Sequence, residues 1–244
     1  MNSSARMIAV LLLIMVLCSL VPATLARNSV YKDTVTIWKS MAESSPNKRR
    51  PHENYGQALS TAGYYREALR EFQIVQSLPD DGSVPMRDLY REIGVVYFRM
   101  NLIDESIISW QKGLQYAPFD SGLLNNLSIA LLKQKRHDEA ISYAETAARY
   151  NPGMPEPLNT LGEIFLAKGE SRRAAEYFKK FLQLRPEDSR GYWNVALALR
   201  EAGDNAEAIA YASKFLAVER DPRYRQMAEE LIAQLKAGRR AVPR

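Results

Sequence analysis

The sequence predicts an all-α fold built as a stack of helix-turn-helix hairpins, and three observations carry the prediction. Pro118, Pro152 and Pro186 stand 34 residues apart, each closing a similar block, and a fixed period of this length marks a repeat architecture. Small residues recur in register: Gly56, Gly94, Ser128, Gly162 and Ala196 at the eighth position of the block, and Ala68, Ser106, Ala140, Ala174 and Ala208 at the twentieth. Helices must approach closely at such places. Between the two helices of each block sit Gly63, Asn101, Lys135, Gly169 and Gly203, and four of these five tolerate the left-handed backbone that ends a helix.

Taken in chain order, residues 7–26 carry no charge, follow Arg6 and end in small residues, which is the layout of a secretory signal peptide. Cleavage after Ala26 would use Thr24 and Ala26; cleavage after Ala23 would use Val21 and Ala23. Twenty uncharged residues also suffice to span a bilayer as an uncleaved anchor. Residues 1–26 are therefore expected to be a signal peptide or a membrane anchor. A lipoprotein is not expected, because Met15, Val16 and Leu17 precede Cys18. In either version the repeats lie on the extracytoplasmic side, periplasmic in a bacterium.

Residues 27–48 should form a half-repeat, with Val35, Trp38 and Met41 at helical spacing before Pro46. Five full repeats follow, at about 49–84, 87–120, 121–154, 155–188 and 189–222, with a four-residue insertion between the first two. Bulky groups mostly sit beside the small ones, at the eleventh position (Leu59, Tyr97, Leu131, Phe165, Leu199) and the twenty-fourth (Phe72, Trp110, Ala144, Phe178, Ala212). Glu67, Glu105, Glu139 and Glu207 open the second helices, where negative charge meets the helix N-terminus favourably. The closing prolines stop those helices. Residues 223–238 are expected to be a capping helix that starts after Pro222 and carries Met227, Leu231, Ile232 and Leu235 as one apolar stripe. Residues 239–244, with Arg239, Arg240 and Arg244, read as a solvated basic tail.

The net charge of +5 is mild and its basic residues are interspersed with acids, which argues against nucleic acid as a partner. Cys18 is the single cysteine and lies in the apolar N-terminus, so disulfides, thiolate metal sites and a cysteine nucleophile are excluded from the repeats. No catalytic constellation recurs, and neither a phosphate-binding loop nor a dinucleotide fingerprint is present. His52 and His137 lie far apart in the repeat frame, without the spaced partners of a metal site. No catalytic residue, metal or cofactor is assigned, and the chain is expected not to be an enzyme.

Over about residues 49–222 the pattern of small residues at positions 8 and 20, bulky residues at 11 and 24 and proline at 32 resembles the tetratricopeptide-repeat family. That resemblance implies a right-handed superhelical solenoid whose concave surface, lined by the first helix of each hairpin, receives a protein or peptide. The chain departs from the family pattern at Ser128, Ala144 and Ala212, and at Phe181 and Phe215, which replace the usual small residue at position 27. Carried over position by position, the groove would comprise Asn54, Arg91, Asn125, Asn126, Asn159, Glu163, Arg190, Trp193 and Asn194. Val95, Phe98, Ile129, Leu132, Leu166 and Leu197 would form its apolar floor, with Trp193 as the anchor. An amide both donates and accepts, so a row of asparagines is suited to an extended backbone. A carboxylate clamp is disfavoured: Arg50 and Asn54 suit its first part, but Asp88 and Glu92 would repel.

The leading functional expectation is therefore an interaction scaffold, touching the membrane only through its N-terminus. One alternative is a structural, self-associating anchored protein. Another is an accessory of a glycosyltransferase or envelope-assembly system, because the stretch from Val35 through Gly56 is similar to repeat regions following the multi-span part of bacterial membrane proteins related to glycosyltransferases.

Overall fold

The computed structural model describes residues 34–240, with side chains through residue 237. The expected signal or anchor segment lies outside the described residues. Every regular element among the described residues is a helix, and none of these helices is long and apolar enough to cross a membrane. The helices are α1 (34–44), α2 (Arg49–Ala62), α3 (Tyr65–Ser77), α4 (Met86–Arg99), α5 (Ile103–Tyr116) and α6 (Ser121–Lys133). They continue with α7 (His137–Tyr150), α8 (Glu156–Ala167), α9 (Ser171–Leu184), α10 (Ser189–Glu201), α11 (Asn205–Val218) and α12 (Pro222–Arg240). The chain divides into two compact units, the first ending at Leu102 and the second beginning at Ile103.

The turns inside the hairpins follow from local backbone chemistry. Gly63, Gly169 and Gly203 adopt φ of 89°, 78° and 80°, and Asn101 and Lys135 adopt 62° and 61°. Lys135 thus takes the left-handed conformation although it is neither glycine nor asparagine. The strain, about 1 kcal/mol, is compensated by the same helix-ending bond that its equivalents make: Arg136 N–H reaches Leu131 O at 2.9 Å, as Glu170 N–H reaches Phe165 O at 2.8 Å. At the other end of each hairpin the residue before proline is driven out of the helical region. Asn151 and Arg185 both sit at φ −135°, with ψ of 82° and 66°.

Unit 1 is organised around Leu59, Phe72, Val75, Leu89, Ile93 and Val96, with Val35 of α1 packed against them. The inward edge of α1 is half-buried Val35 and Trp38 with buried Ala42; Met41, expected in that stripe, is instead exposed. A shift of one residue around a helix moves a side chain by roughly 100°, so the stripe turns toward Ala42. Arg49 is the least expected member of this interior. Its side chain is buried, its Nε donates to Val75 O at 3.2 Å, and its guanidinium reaches Asp80 and Met86 Sδ. It thereby ties the start of α2 to the end of α3 and to the four-residue insertion, where Asp80 and Asp81 each accept a loop N–H. His52 is buried between Glu71, at 2.7 Å from Nδ1, and Pro46 O, at 3.2 Å from Nε2.

Unit 2 repeats one packing scheme with compensating substitutions. A Cβ built on Gly162 would fall 2.4 Å from the Phe178 ring, and in unit 1 one on Gly56 would fall 2.6 Å from Phe72. Where the ring is lost, the eighth position gains atoms: Ser128 accompanies Ala144, and Ala196 accompanies Ala212. The Ser128 hydroxyl, fully buried, donates to Ala140 O at 2.7 Å. These departures from the repeat pattern are therefore paired exchanges of volume. The capping helix buries Ala228, Leu231 and Leu235 while Met227, expected in its apolar stripe, is exposed.

Candidate functional site

First helices α6, α8 and α10 of unit 2 present one face to a groove of about 880 Å³. A helix exposes positions i, i+3, i+4 and i+7 together; α8 accordingly supplies Glu156, Asn159, Thr160 and Glu163. From α6 come Asn125 and Ile129, and from α10 Arg190, Trp193 and Asn194. Of the residues that the sequence placed in the groove, Asn125, Ile129, Asn159, Glu163, Arg190, Trp193 and Asn194 line it. Asn126, Leu132, Leu166 and Leu197 are half-buried and are not among the residues lining this groove. Asn54, Arg91, Val95 and Phe98 belong to unit 1, where each is half-buried and the Arg91 guanidinium reaches Asp88.

Two residues missing from the expected set define the apolar end. Phe215 from α11 stands with its ring centre 5.2 Å from that of Trp193, tilted by 43°, and Phe181 from α9 lines the same wall. Both occupy position 27, where a small residue would leave the groove floor open. Their bulk was visible as a departure from the repeat, and it is the signal that identifies them. Tyr224 and Met227 of α12, respectively 51% and 48% exposed, complete this end.

The asparagine row proves to be partly engaged between hairpins. Thr160 Oγ1 donates to Asn125 Oδ1 at 3.0 Å, and one period later Asn194 Nδ2 donates to Asn159 Oδ1 at 3.1 Å. Asn159 Nδ2 in turn donates to Glu163 Oε1 at 2.7 Å. Each bond joins first helices of successive hairpins or fixes a side chain along α8. An amide has two donors and two lone pairs, so Asn194 keeps one N–H and its carbonyl available.

Charge is distributed unevenly. Arg190 forks onto Asp188, with contacts of 3.1 and 2.7 Å, and this bond holds the Asp188 carboxyl below its ordinary range. Glu219 accepts the N–H groups of Arg220 and Asp221 and the Ser189 hydroxyl, which lower its carboxyl. Glu163 behaves oppositely. Although its surface is exposed to solvent, the groove walls crowd it; burial raises its carboxyl above the ordinary value, against the opposing bond from Asn159. In unit 1, burial likewise raises Glu53 and Glu92, and the charge of Glu53 adds to the shift at Glu92. No group of three His, Cys, Asp or Glu residues among the described residues is arranged to hold a metal ion.

A chain with this geometry has recognisable relatives. The family model described as Tetratricopeptide repeat matches residues 91–155 and 159–225. Protein FlbA of Caulobacter vibrioides is 29% identical over 154 residues, covering 63% of this chain and 25% of FlbA. The human protein O-mannosyl-transferase TMTC1 is 24% identical over 161 residues, covering 64% of this chain and 18% of TMTC1. The chain thus spans a quarter or less of the length of these relatives. Among solved structures, YrrB, described as a TPR protein with an unusual peptide-binding site, superposes with a TM-score of 0.58 at 19% identity, covering 79% of this chain and 97% of YrrB. The repeat pattern, the hairpin geometry and the family match agree: the chain belongs to the tetratricopeptide-repeat family.

Proposed function

We propose that this protein is a non-catalytic interaction scaffold that binds an extended or helical polypeptide segment in the unit 2 groove, on the extracytoplasmic side of a membrane. The observation that carries the reading is the half-exposed ring of Trp193, backed by buried Phe215, beside amides with unused hydrogen-bonding capacity. Aromatic anchors in pockets supply much of the energy of protein recognition, and truncating one costs about 2 kcal/mol or more. Such a ring with amides beside it suits a side chain of the ligand together with its backbone. The similarity of fold to a protein with a peptide-binding site supports the same use. A non-catalytic role is in keeping with the tetratricopeptide-repeat fold, whose stacked hairpins build a binding surface.

The extracytoplasmic location rests on the uncharged N-terminal stretch, and N-terminal sequencing of the mature protein together with protease accessibility in intact cells tests it. For the groove, the full-length chain and its Trp193→Ala variant should be compared in partner capture from the native membrane fraction. Loss of a specific partner is expected; capture unchanged by the substitution would refute the assignment. Self-association is a second reading, favoured by Phe119, 60% exposed, stacked at 4.3 Å on Tyr150, 48% exposed. Light scattering over a hundredfold concentration range on the protein and its Phe119→Ser variant separates it from the first.

A further inference from the structure

We infer that the unit 2 groove selects a polypeptide segment of a separate partner that carries a lysine or arginine beside an apolar residue, the cation meeting Glu163 and the apolar group resting on Trp193. This deepens the proposed function and rests on it. The chain as a whole is basic, at +5, yet the groove is lined by five carboxylates, Glu156, Glu163, Glu187, Asp188 and Glu219, against two arginines, Arg185 and Arg190. One of those arginines is committed: Arg190 forks onto Asp188. The groove therefore keeps a net charge of about −3 at neutral pH, opposite in sign to the rest of the molecule, and low-dielectric walls focus such a field onto an incoming ligand.

Glu163 is the member of this set that is positioned to act. It stands on the groove-facing stripe of α8, and its Oε1 accepts from the Asn159 amide, which is itself held from the next hairpin by Asn194. The carboxylate is thus fixed in place by neutral groups, with no cation paired to it. Crowding by the groove walls raises its carboxyl, the condition that an arriving ammonium or guanidinium relieves. The alternatives for the other acids are plain: Glu156 lies in the first turn of α8, where it complements the helix end, and Glu219 is satisfied by backbone N–H groups. The apolar half of the ligand follows from half-exposed Trp193, whose ring is backed by buried Phe215, with Met227 exposed at its edge.

The test uses the full-length chain and fluorescein-labelled nine-residue peptides of alanine and serine with a central Lys-Leu-Lys, Gln-Leu-Gln or Glu-Leu-Glu, followed by anisotropy. The lysine peptide is expected to bind about tenfold or more tightly than the glutamate peptide, with the glutamine peptide between them, and to weaken as salt rises. Glu163→Gln should weaken the lysine peptide about threefold to fivefold and leave the glutamine peptide unchanged, in line with a partly solvated charge pair. Trp193→Ala should weaken both. Equal affinity for all three peptides, each lost in Trp193→Ala, would overturn the cation selection while leaving the groove reading intact. No dependence on either residue would overturn both. If light scattering shows the chain alone assembling, and Glu163→Lys abolishes that assembly while circular dichroism stays unchanged, a second copy fills the groove and the separate partner is overturned.

Discussion

Replacing Gly162 by alanine probes the packing rule on which the repeats depend. Alanine ordinarily stabilises a helix interior relative to glycine by about 1 kcal/mol, so propensity alone predicts a gain. The added Cβ, however, would sit 2.4, 2.6 and 2.7 Å from three atoms of the Phe178 ring, where ordinary contact begins at 3.4 Å. The ring is fully buried, so it must move by roughly 1 Å against its own neighbours. Overpacking of this kind costs about 1–3 kcal/mol, so after the propensity gain the net effect runs from neutral to a loss of about 2 kcal/mol. Phe178→Ala alone should cost about 3–5 kcal/mol. The double variant recreates the pairing already present as Ala196 with Ala212, so its loss should fall short of the sum by about 1 kcal/mol or more. Urea unfolding followed by circular dichroism on all four proteins measures the cycle. A stabilised Gly162→Ala, or strict additivity, would refute the claim that positions 8 and 24 exchange volume.

Three further outcomes follow from single contacts. Ser128→Ala removes the hydroxyl that donates to Ala140 O at 2.7 Å and should lower stability by about 1 kcal/mol in the same unfolding assay. Arg49→Ala strips a buried side chain from Val75 O and the insertion loop and should cost about 2–4 kcal/mol, with amide exchange accelerated around Asp80 before the rest of unit 1. Glu163→Gln should stabilise the protein at neutral pH. Because folding raises this carboxyl above its ordinary 4.5, the folded state binds the proton more tightly, and stability falls as pH rises from about 4.5 through the raised value. The advantage of the variant should therefore vanish at pH 4, and an advantage that persists there would contradict the sign.

The parts of this structure that were legible in the sequence are those set by local chemistry repeated in register. Turn residues with left-handed backbone, prolines after second helices and the small positions that admit a neighbouring ring recur at one spacing, so each copy reinforces the others. Lys135 was the exception among the turns, and the repeat frame alone placed it. Side chains whose role depends on a second hairpin were less legible. Asn125 and Asn159 read as free ligand-binding amides, yet each is bonded by a residue 35 positions later, a pairing fixed by helix rotation and not by composition. Phe181 and Phe215 stood out as bulky departures, but only the packed hairpins make them groove wall. Met41 and Met227 were assigned to buried stripes because an apolar period at a terminal helix does not say where the stripe ends when one side has no neighbour.

The central claim is that a partner lies in the unit 2 groove, and site-specific photocrosslinking tests it most directly. Met227 and Tyr150 are each 48% exposed, but Met227 lines the groove and Tyr150 lies outside it. With p-benzoylphenylalanine placed at either position in the full-length chain in its native cells, a discrete partner adduct is expected from position 227 that is lost with Trp193→Ala, and none from position 150. An adduct from position 150 with none from 227 would contradict it.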